Sequence, residues 1–546
     1  MRKLALASVL VILVAFAVGP ASAGPGSLVM TPVAASGLSP LSSPPCSATP
    51  GTGSALQPIP ELFPNSEVEP WVDVSPVDGD GDSIVGDVVA GLYQQDRWSN
   101  GGARDNVASI SFDGGATWQR ITFTGLTKCD GGEFDRNTDP WLSFAPNGDL
   151  HLMHLVLDIV PPPGQEGGFG PNAMIAQKIP AGAFADGFIA ESEISDPITL
   201  ARDDDGDLHD KNSMTADPTN PNNVYAVWDF LTIPEGHQLN PERGLGNLIG
   251  FGFKSVTLFT RTTDGGASWS EPKVIYNPGG NNQTIGNQIV VSPDGTLFNF
   301  FDEILNFRTD DGLPQFDLNL SMKFSADQGN TWLPRGRPIR IADMRSRLVR
   351  DPDQPNAPLA RDRHRTADII PDVAVDPTNG NLYAVWMDTR FSPGGAHNDV
   401  AFTMSTDGGR TWSPPIKVSQ TPESATGHNG HAFTPSVHVL PNGTIGVSYY
   451  DFRNNVPGGG TSTDHWLVHC HPGTEDCALA GSWGDLGDEV RVTLTSFDSR
   501  QAPVARGFFL GDYAGLDDDG TNFTAFFAEG VGPGNPTDIF YAEVST

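Results

Sequence analysis

Cysteine is scarce, with four in 546 residues, and none of them falls in a C-x-x-C spacing. That removes the usual sequence signature of structural zinc and of dithiol redox chemistry. Positive charge is also in short supply: 32 Lys and Arg stand against 66 Asp and Glu, a net charge of −34. So acidic a chain repels phosphates instead of releasing their counterions, which argues against nucleic acid as a partner. Anionic membranes are disfavoured by the same Coulomb term. After residue 18 every apolar run is broken by charge, Gly or Pro, so no later segment reaches the about 20 residues a membrane span needs. A P-loop, a dinucleotide fingerprint, a G-x-S-x-G elbow and a zinc-binding His/Glu/His spacing are missing in any supporting context. Disorder does not follow, because 11 Trp, 30 Phe and 38% hydrophobic residues can fill a core.

The N-terminus reads as an export signal. Met1-Arg2-Lys3, an apolar run from Leu4 to Val18 and the small-residue site Ala21-Ser22-Ala23 predict a signal peptide over 1–23 and a secreted chain. A Pro/Ser-rich segment follows over 24–64. In an exported protein an even set of cysteines favours disulfides. Cys470 and Cys477 are close enough in sequence to staple one hairpin, which leaves Cys46 to pair with Cys129. Free thiols are the alternative.

Gly (62) and Pro (46) make up about a fifth of the chain. Their helix penalties of about 1 and 3 kcal/mol exclude a helical bundle and favour short strands joined by turns. These turns recur. An apolar strand, a Pro-containing polar turn and a second apolar strand repeat seven times, anchored at Pro76, Pro146, Pro218, Pro293, Pro377, Pro441 and Asp517. The intervals are 70, 72, 75, 84, 64 and 76 residues, and a period of this kind marks a repeat architecture.

A second turn follows in several units. It reads SFDGGATW over 111–118, TTDGGASW over 262–269, SADQGNTW over 325–332 and STDGGRTW over 405–412. Hydroxyl and carboxylate side chains bond turn amides, Gly supplies positive φ, and Trp covers apolar area. This pattern resembles the Asp-box, or BNR repeat, of the sialidase (neuraminidase) superfamily. The resemblance implies an all-β protein with a single β-propeller over 65–546. Sialidases have six blades, but the count of repeats favours seven four-stranded blades, with six as the alternative. The last unit offers three strands before Thr546, and Ser27 to Val33 is a candidate fourth that closes the ring. The resemblance also implies a sialidase-like exo-glycoside hydrolase acting on a glycan; with the export signal it would be secreted, and a monomer is expected. A polysaccharide lyase and a non-catalytic binding propeller are the alternatives.

In such a fold the Pro-anchored turns share one face with the second turns, and the opposite face collects the remaining loops. A carboxylate stands at or near the end of every second strand: Asp96, Asp158, Asp229, Asp302 with Glu303, Asp388, Asp451 and Glu529. The entries to the first strands add Glu69, Asp139, Asp210-Lys211, Asn287, Asp368, His431 and Asp512-Tyr513. Guanidinium forks suit a ligand carboxylate, which nominates Arg97, Arg390, Arg453, Arg136 and Arg365, with Asp388 and Asp451 beside two of them. Two carboxyls across a glycosidic bond are the minimum for hydrolysis. Asp96, Asp368 and Glu303 are the candidates for acid/base work, and Tyr450 and Tyr513 for a nucleophile or stacking ring. Capping of loop amides is the competing role for each. The Arg-Ile-Pro motif that carries the first triad arginine of sialidases has no counterpart, the nearest string being Pro58-Ile59-Pro60, so these candidates rest on position. No cofactor is required; Asp203, Asp205 and Asp207 form a candidate Ca2+ loop, although Met214 stands where an EF-hand needs Glu.

Overall fold

The computed structural model describes residues 28–41, 60–78, 85–159, 169–232, 254–309, 314–354, 363–423, 429–456, 458, 460–484 and 488–546. The expected signal peptide, Cys46, and the acidic string around Asp80 and Asp82 lie outside the described residues. The protein is all-β, and helix is confined to single 3₁₀ turns among the described residues. Among those residues no helix is long and apolar enough to cross a membrane.

Each Pro-anchored repeat is an antiparallel hairpin. Seven first strands run Leu62–Val74, Arg136–Phe144, Leu208–Ala216, Gln283–Val291, Asp372–Val375, Ala432–Val439 and Gly515–Asp518, each paired with the strand that follows it. Third and fourth strands extend each hairpin outward, as in Lys254–Thr262 and Lys273–Tyr276 of the third repeat. In the last repeat Leu28–Val29 and Val33–Ala34 add antiparallel to Asn535–Ser545. Successive first strands lie against one another, and the last lies against the first.

Glycine makes the Pro-anchored turns possible. In the second repeat Gly148 takes φ +86° and its N–H bonds Ala145 O at 2.8 Å, closing the reversal. Between the sheets the core is aliphatic and aromatic, with Trp228, Trp386 and Tyr383 fully buried. The disulfide Cys470–Cys477 spans 6.0 Å between Cα atoms and ties the sixth repeat's third strand to its following loop. Cys129 is also disulfide-bonded.

The turn over 111–118 shows how its sequence works. Asp113 accepts bonds from Ser111 Oγ (2.9 Å), Thr117 N (2.7 Å) and Thr117 Oγ1 (2.7 Å), while Gly115 N donates to Ser111 Oγ at 2.8 Å. That fixes Trp118, whose ring centroid lies 5.8 Å from Phe526 and 5.4 Å from Tyr541 of the last repeat. The same bonds recur around Asp264, Asp327 and Asp407. Asp113→Ala is expected to destabilise the fold by about 1–2 kcal/mol in denaturant titration, because the turn amide and hydroxyls lose their shared acceptor.

The seam between the sixth and seventh repeats combines a buried aromatic core with an ionic contact. His438 Nε2 lies 2.6 Å from Asp518 Oδ2 and 3.4 Å from Asp517 Oδ1. Burial opposes the imidazolium, but the Asp518 bond and the Asp517 charge outweigh it and raise its pKa from 6.5 to about 9. The folded pKa is above the unfolded one, so the stabilisation is complete below pH 6.5 and is lost as pH rises through 9. Wild-type stability is expected to fall by roughly 1–2 kcal/mol across that window after allowance for partial exposure. A His438→Gln variant with the same slope would remove this account.

Candidate functional site

The first strands carry a repeated irregularity. Register shifts fall at Val68/Trp71, Thr138/Trp141, Asp210/Ser213, Ile285/Gln288 and Phe433/Ser436. Inside these bulges Glu69 (+54°), Asp139 (+47°), Lys211 (+48°), Gly286 (+68°) and Thr434 (+48°) adopt positive φ. Ala367 (+47°) and Gly511 (+154°) do so just before the fifth and seventh first strands. For a residue with a Cβ the left-handed conformation costs about 1–2 kcal/mol, and bulges re-aim side chains. Three of these residues, Asp139, Lys211 and Ala367, line a common cavity.

That cavity holds about 250 Å³. Five cations line it, Arg97, Lys211, Arg363, Arg365 and Arg506, beside Asp139, Asp210, Asp368 and Asp512. The rest of the wall is largely aliphatic, including Leu155, Leu157, Leu208, Leu231, Ile285 and Ile370. In a chain of net charge −34 this wall gathers cations and carboxylates in nearly equal number.

The ion pairs are interlocked. Arg365 grips Asp512 with two nitrogens, Nε at 3.1 Å from Oδ1 and Nη2 against Oδ2. Lys211 Nζ lies 2.6 Å from the same Oδ2, 3.1 Å from Glu69 Oε1 and 3.6 Å from Asp139 Oδ2. Arg97 Nη1 donates to Gln94, which in turn donates to Glu69. Phe509 sits under both Arg97 (5.0 Å) and Arg365 (4.2 Å). Gly511 permits this closeness, since a Cβ there would lie 2.9 Å from Glu69 N.

Two guanidinium nitrogens remain over. Arg97 Nε and Arg365 Nη1 are buried without a hydrogen-bond partner, a costly state for a charged donor. Burial and the neighbouring Arg365 push Arg97 down to about 10, and the same causes push Arg506 down to about 9. Arg365 itself, despite its burial, is held charged by Asp512, Glu69 and Asp139, so Arg97 and Arg506 are the guanidiniums whose charge an added anion would favour. Burial works against Lys211 as well, but Asp139, Asp512 and Glu69 outweigh it and hold the ammonium charged. Asp512 stays ionised against burial because of Arg365 and Lys211. Among the other carboxyls, burial raises Asp368, and burial with repulsion from Asp139 raises Asp210 to about 6. Glu69 rises to about 8, chiefly by burial.

Of the residues nominated by sequence, Arg97, Arg365 and Asp368 line this cavity. Tyr513 is next to it, with Lys211 Nζ 5.8 Å from its ring centroid, but its hydroxyl donates to Pro140 O at 2.9 Å and its ring packs on Trp71 and Trp141. The remainder are engaged elsewhere. Asp96 accepts from Arg104 (2.8 Å), Ser39 Oγ (2.9 Å) and Asn65 N (2.7 Å). Glu303 accepts from Tyr276 and from Arg340 Nε at 2.6 Å. Tyr450 is a core residue rather than a phenol at the mouth: its hydroxyl bonds both Ala528 O and Ala528 N at 3.0 Å. Arg136 is fully buried, 4.7 Å from the Trp98 ring centroid, and bonds Asn100 and Gly101 O.

Two of the arginine–carboxylate pairs follow one plan. Asp388 takes Arg390 Nη2 (2.7 Å) and Trp386 Nε1 (2.8 Å). Asp451 takes Arg453 and Trp466 Nε1 (3.0 Å), and Arg453 stacks 3.8 Å from the Trp466 ring centroid. An aspartate ending a strand in this way locks its own loop, which is why Arg390, Arg453, Asp388 and Asp451 are not in the cavity wall. In the candidate calcium loop Asp203 Oδ1 accepts Asp205 N (3.0 Å) and Asp207 N (2.9 Å), an Asx turn. Among the described residues, the group that brings three metal-competent atoms within 4.8 Å of one another is His438, Asp517 and Asp518.

Sequence reasoning placed Asp210 and Lys211 at a strand entry without assigning them a role, and passed over Arg363 and Arg506. The basic run Arg361 to Arg365 was a usable signal for Arg363. Arg506 had none, since it enters through a loop conformation with φ +65°.

No family model matches the chain, and no curated protein matches it. Solved structures do. A protein of unknown function from Dyadobacter fermentans is 12% identical, with 95% of this chain and 99% of that one covered at a TM-score of 0.44. The Hadza microbial sialidase Hz136 is 14% identical, covering 86% and 74%, at 0.42. An α-L-arabinanase of Penicillium chrysogenum complexed with arabinobiose is 12% identical, covering 74% and 93%, at 0.36. The chain is thus similar in structure, at low identity, to sialidases and an arabinanase.

Proposed function

We propose that the protein is a secreted, glycan-active exo-glycoside hydrolase built on a seven-bladed β-propeller, with its site in the charged cavity. The cycle of neighbouring first strands and the N-terminal strands added to the last sheet support the propeller reading. A single observation carries the functional one: Arg97, Arg365 and Arg506 crowd a cavity with two buried guanidinium nitrogens unpartnered. Such a cluster fits the carboxylate of an acidic sugar, which a guanidinium binds through paired bonds.

In this reading the guanidiniums hold the sugar carboxylate and Asp368 acts as the acid. Its buried carboxyl retains a proton to higher pH than an exposed one. It gives that proton to the glycosidic oxygen as the C–O bond breaks, and water supplies the hydroxyl that completes the sugar, its remaining proton passing to a second carboxyl. Asp210, held near 6, is the second carboxyl. Asp512 and Asp139 are committed to Lys211 and serve the frame. The aliphatic wall favours, as a second reading, a binding propeller that holds an acidic ligand without turnover.

A panel of glycans ending in acidic sugars, analysed by product mass, tests the reading. Hydrolysis gives a product heavier by one water than a lyase product from the same bond. Stoichiometric binding with no product across the panel would leave the cavity assignment standing and remove the enzyme.

A further inference from the structure

Lys211 occupies one of the positive-φ strand entries, at φ +48°, and its side chain is only 9% exposed. A long side chain in that conformation is strained by about 1–2 kcal/mol, and strain of this kind persists where the surroundings over-determine it. Here the surroundings are three carboxylates. An ammonium has three donors, and Asp512, Glu69 and Asp139 stand at 2.6, 3.1 and 3.6 Å. Little of Lys211 is left for a ligand.

Its effect passes through Asp512. That carboxylate is shared, with Oδ2 facing Lys211 Nζ while both oxygens take Arg365. Because Nε and Nη2 of Arg365 are used on Asp512, Nη1 is the nitrogen left without a hydrogen-bond partner, buried within a residue of the cavity wall. Remove the ammonium, and Glu69, Asp139, Asp210 and Asp512 face one another at low exposure, with Arg97, Arg365 and Arg506 as neutralising charges. Carboxylates in that position take up protons, and a protonated Asp512 no longer accepts two guanidinium bonds.

We propose that Lys211 is a positioning residue for the anion site: by neutralising the carboxylates around it, it keeps Asp512 clamped on Arg365 and so holds the Arg365 guanidinium in place in the cavity wall. The proposal rests on the reading that the cavity binds an anion.

The test titrates D-glucuronate into the full chain by calorimetry between about pH 5 and pH 8, a range spanning ordinary and raised carboxyl values. Lys211→Met is expected to weaken binding about tenfold at pH 7, the loss of one charge-assisted bond. The loss relative to wild type deepens as pH falls toward 5, beyond the change the wild type itself shows as Glu69 and Asp210 take up protons. Lys211→Arg restores both affinity and profile. A folded Lys211→Met protein with wild-type affinity and pH profile overturns the proposal. If that variant does not fold, Asp512→Asn takes its place: it leaves Lys211 on Glu69 and Asp139 but loosens Arg365. The same tenfold loss supports the clamp, and wild-type affinity overturns it. Unchanged binding in Arg365→Ala, or no glucuronate binding by the wild type at millimolar concentration, instead removes the anion reading on which the clamp depends.

Discussion

Replacing Arg365 by alanine is expected to lower kcat/KM on an acidic glycan by about 100-fold or more, close to 3 kcal/mol. The loss should fall mainly on KM, because a carboxylate contact made in both ground and transition states is uniform binding. Two effects act together. The ligand loses a cation of the cavity wall, and Asp512 loses a bidentate partner, which leaves Lys211 as its ion-pair contact. Arg365→Lys should recover little, since an ammonium cannot hold Asp512 through two nitrogens and offer a third. An Arg365→Ala enzyme with wild-type KM would show that the substrate carboxylate lies elsewhere.

Asp368→Asn is expected to act on the other parameter. A proton donor to the leaving oxygen contributes about 10²–10⁴-fold, so kcat should fall by that factor while KM changes little. The pH profile supplies a second check. Burial raises the Asp368 carboxyl, and the Asp512 charge adds to the rise, so activity that requires its proton is lost as pH rises through that value. The asparagine variant, with no proton to lose there, should lack this limb. If its profile keeps the same basic limb, another group is the acid, and Asp210, raised to about 6, is the next to replace.

How much of this was legible in the chain depends on scale. The repeated hairpins were, because a Pro-containing turn between apolar strands is a local signal with a local cause: Gly148 must reverse, and Pro146 cannot extend a ladder. Part of the site was legible too. Asp139, Asp210-Lys211, Asp368 and Asp512 were visible as polar residues at strand entries, and three of the nominated site residues, Arg97, Arg365 and Asp368, meet in the cavity. Choosing between the entries and the second-strand ends was beyond the sequence. Asp388 and Asp451 look as suitable as Asp368 in one dimension. Only in three dimensions do Trp386, Trp466 and their own arginines use them up. The positive φ of Lys211 and Thr434 was equally hidden, since neither residue type favours it and long-range contacts impose it.

The pairing of Leu28–Val29 with Val544 and Ser545 also sets an order of events. Leu28 N bonds Ser545 Oγ across a separation of 517 residues, among the most non-local contacts this chain can make. Loop-closure entropy has to be met before such a contact returns anything. Local hairpins such as that around Gly148 can form as soon as their residues are available, whereas the last sheet cannot gain this edge until Asn535–Ser545 is present. Up to that moment the growing polypeptide carries two open strand edges, a state prone to association. Completion of the final sheet is therefore a late step of maturation, and loss of the eleven-residue strand Asn535–Ser545 would leave a chain whose earlier sheets are made but whose last sheet lacks the partner of Leu28–Val29.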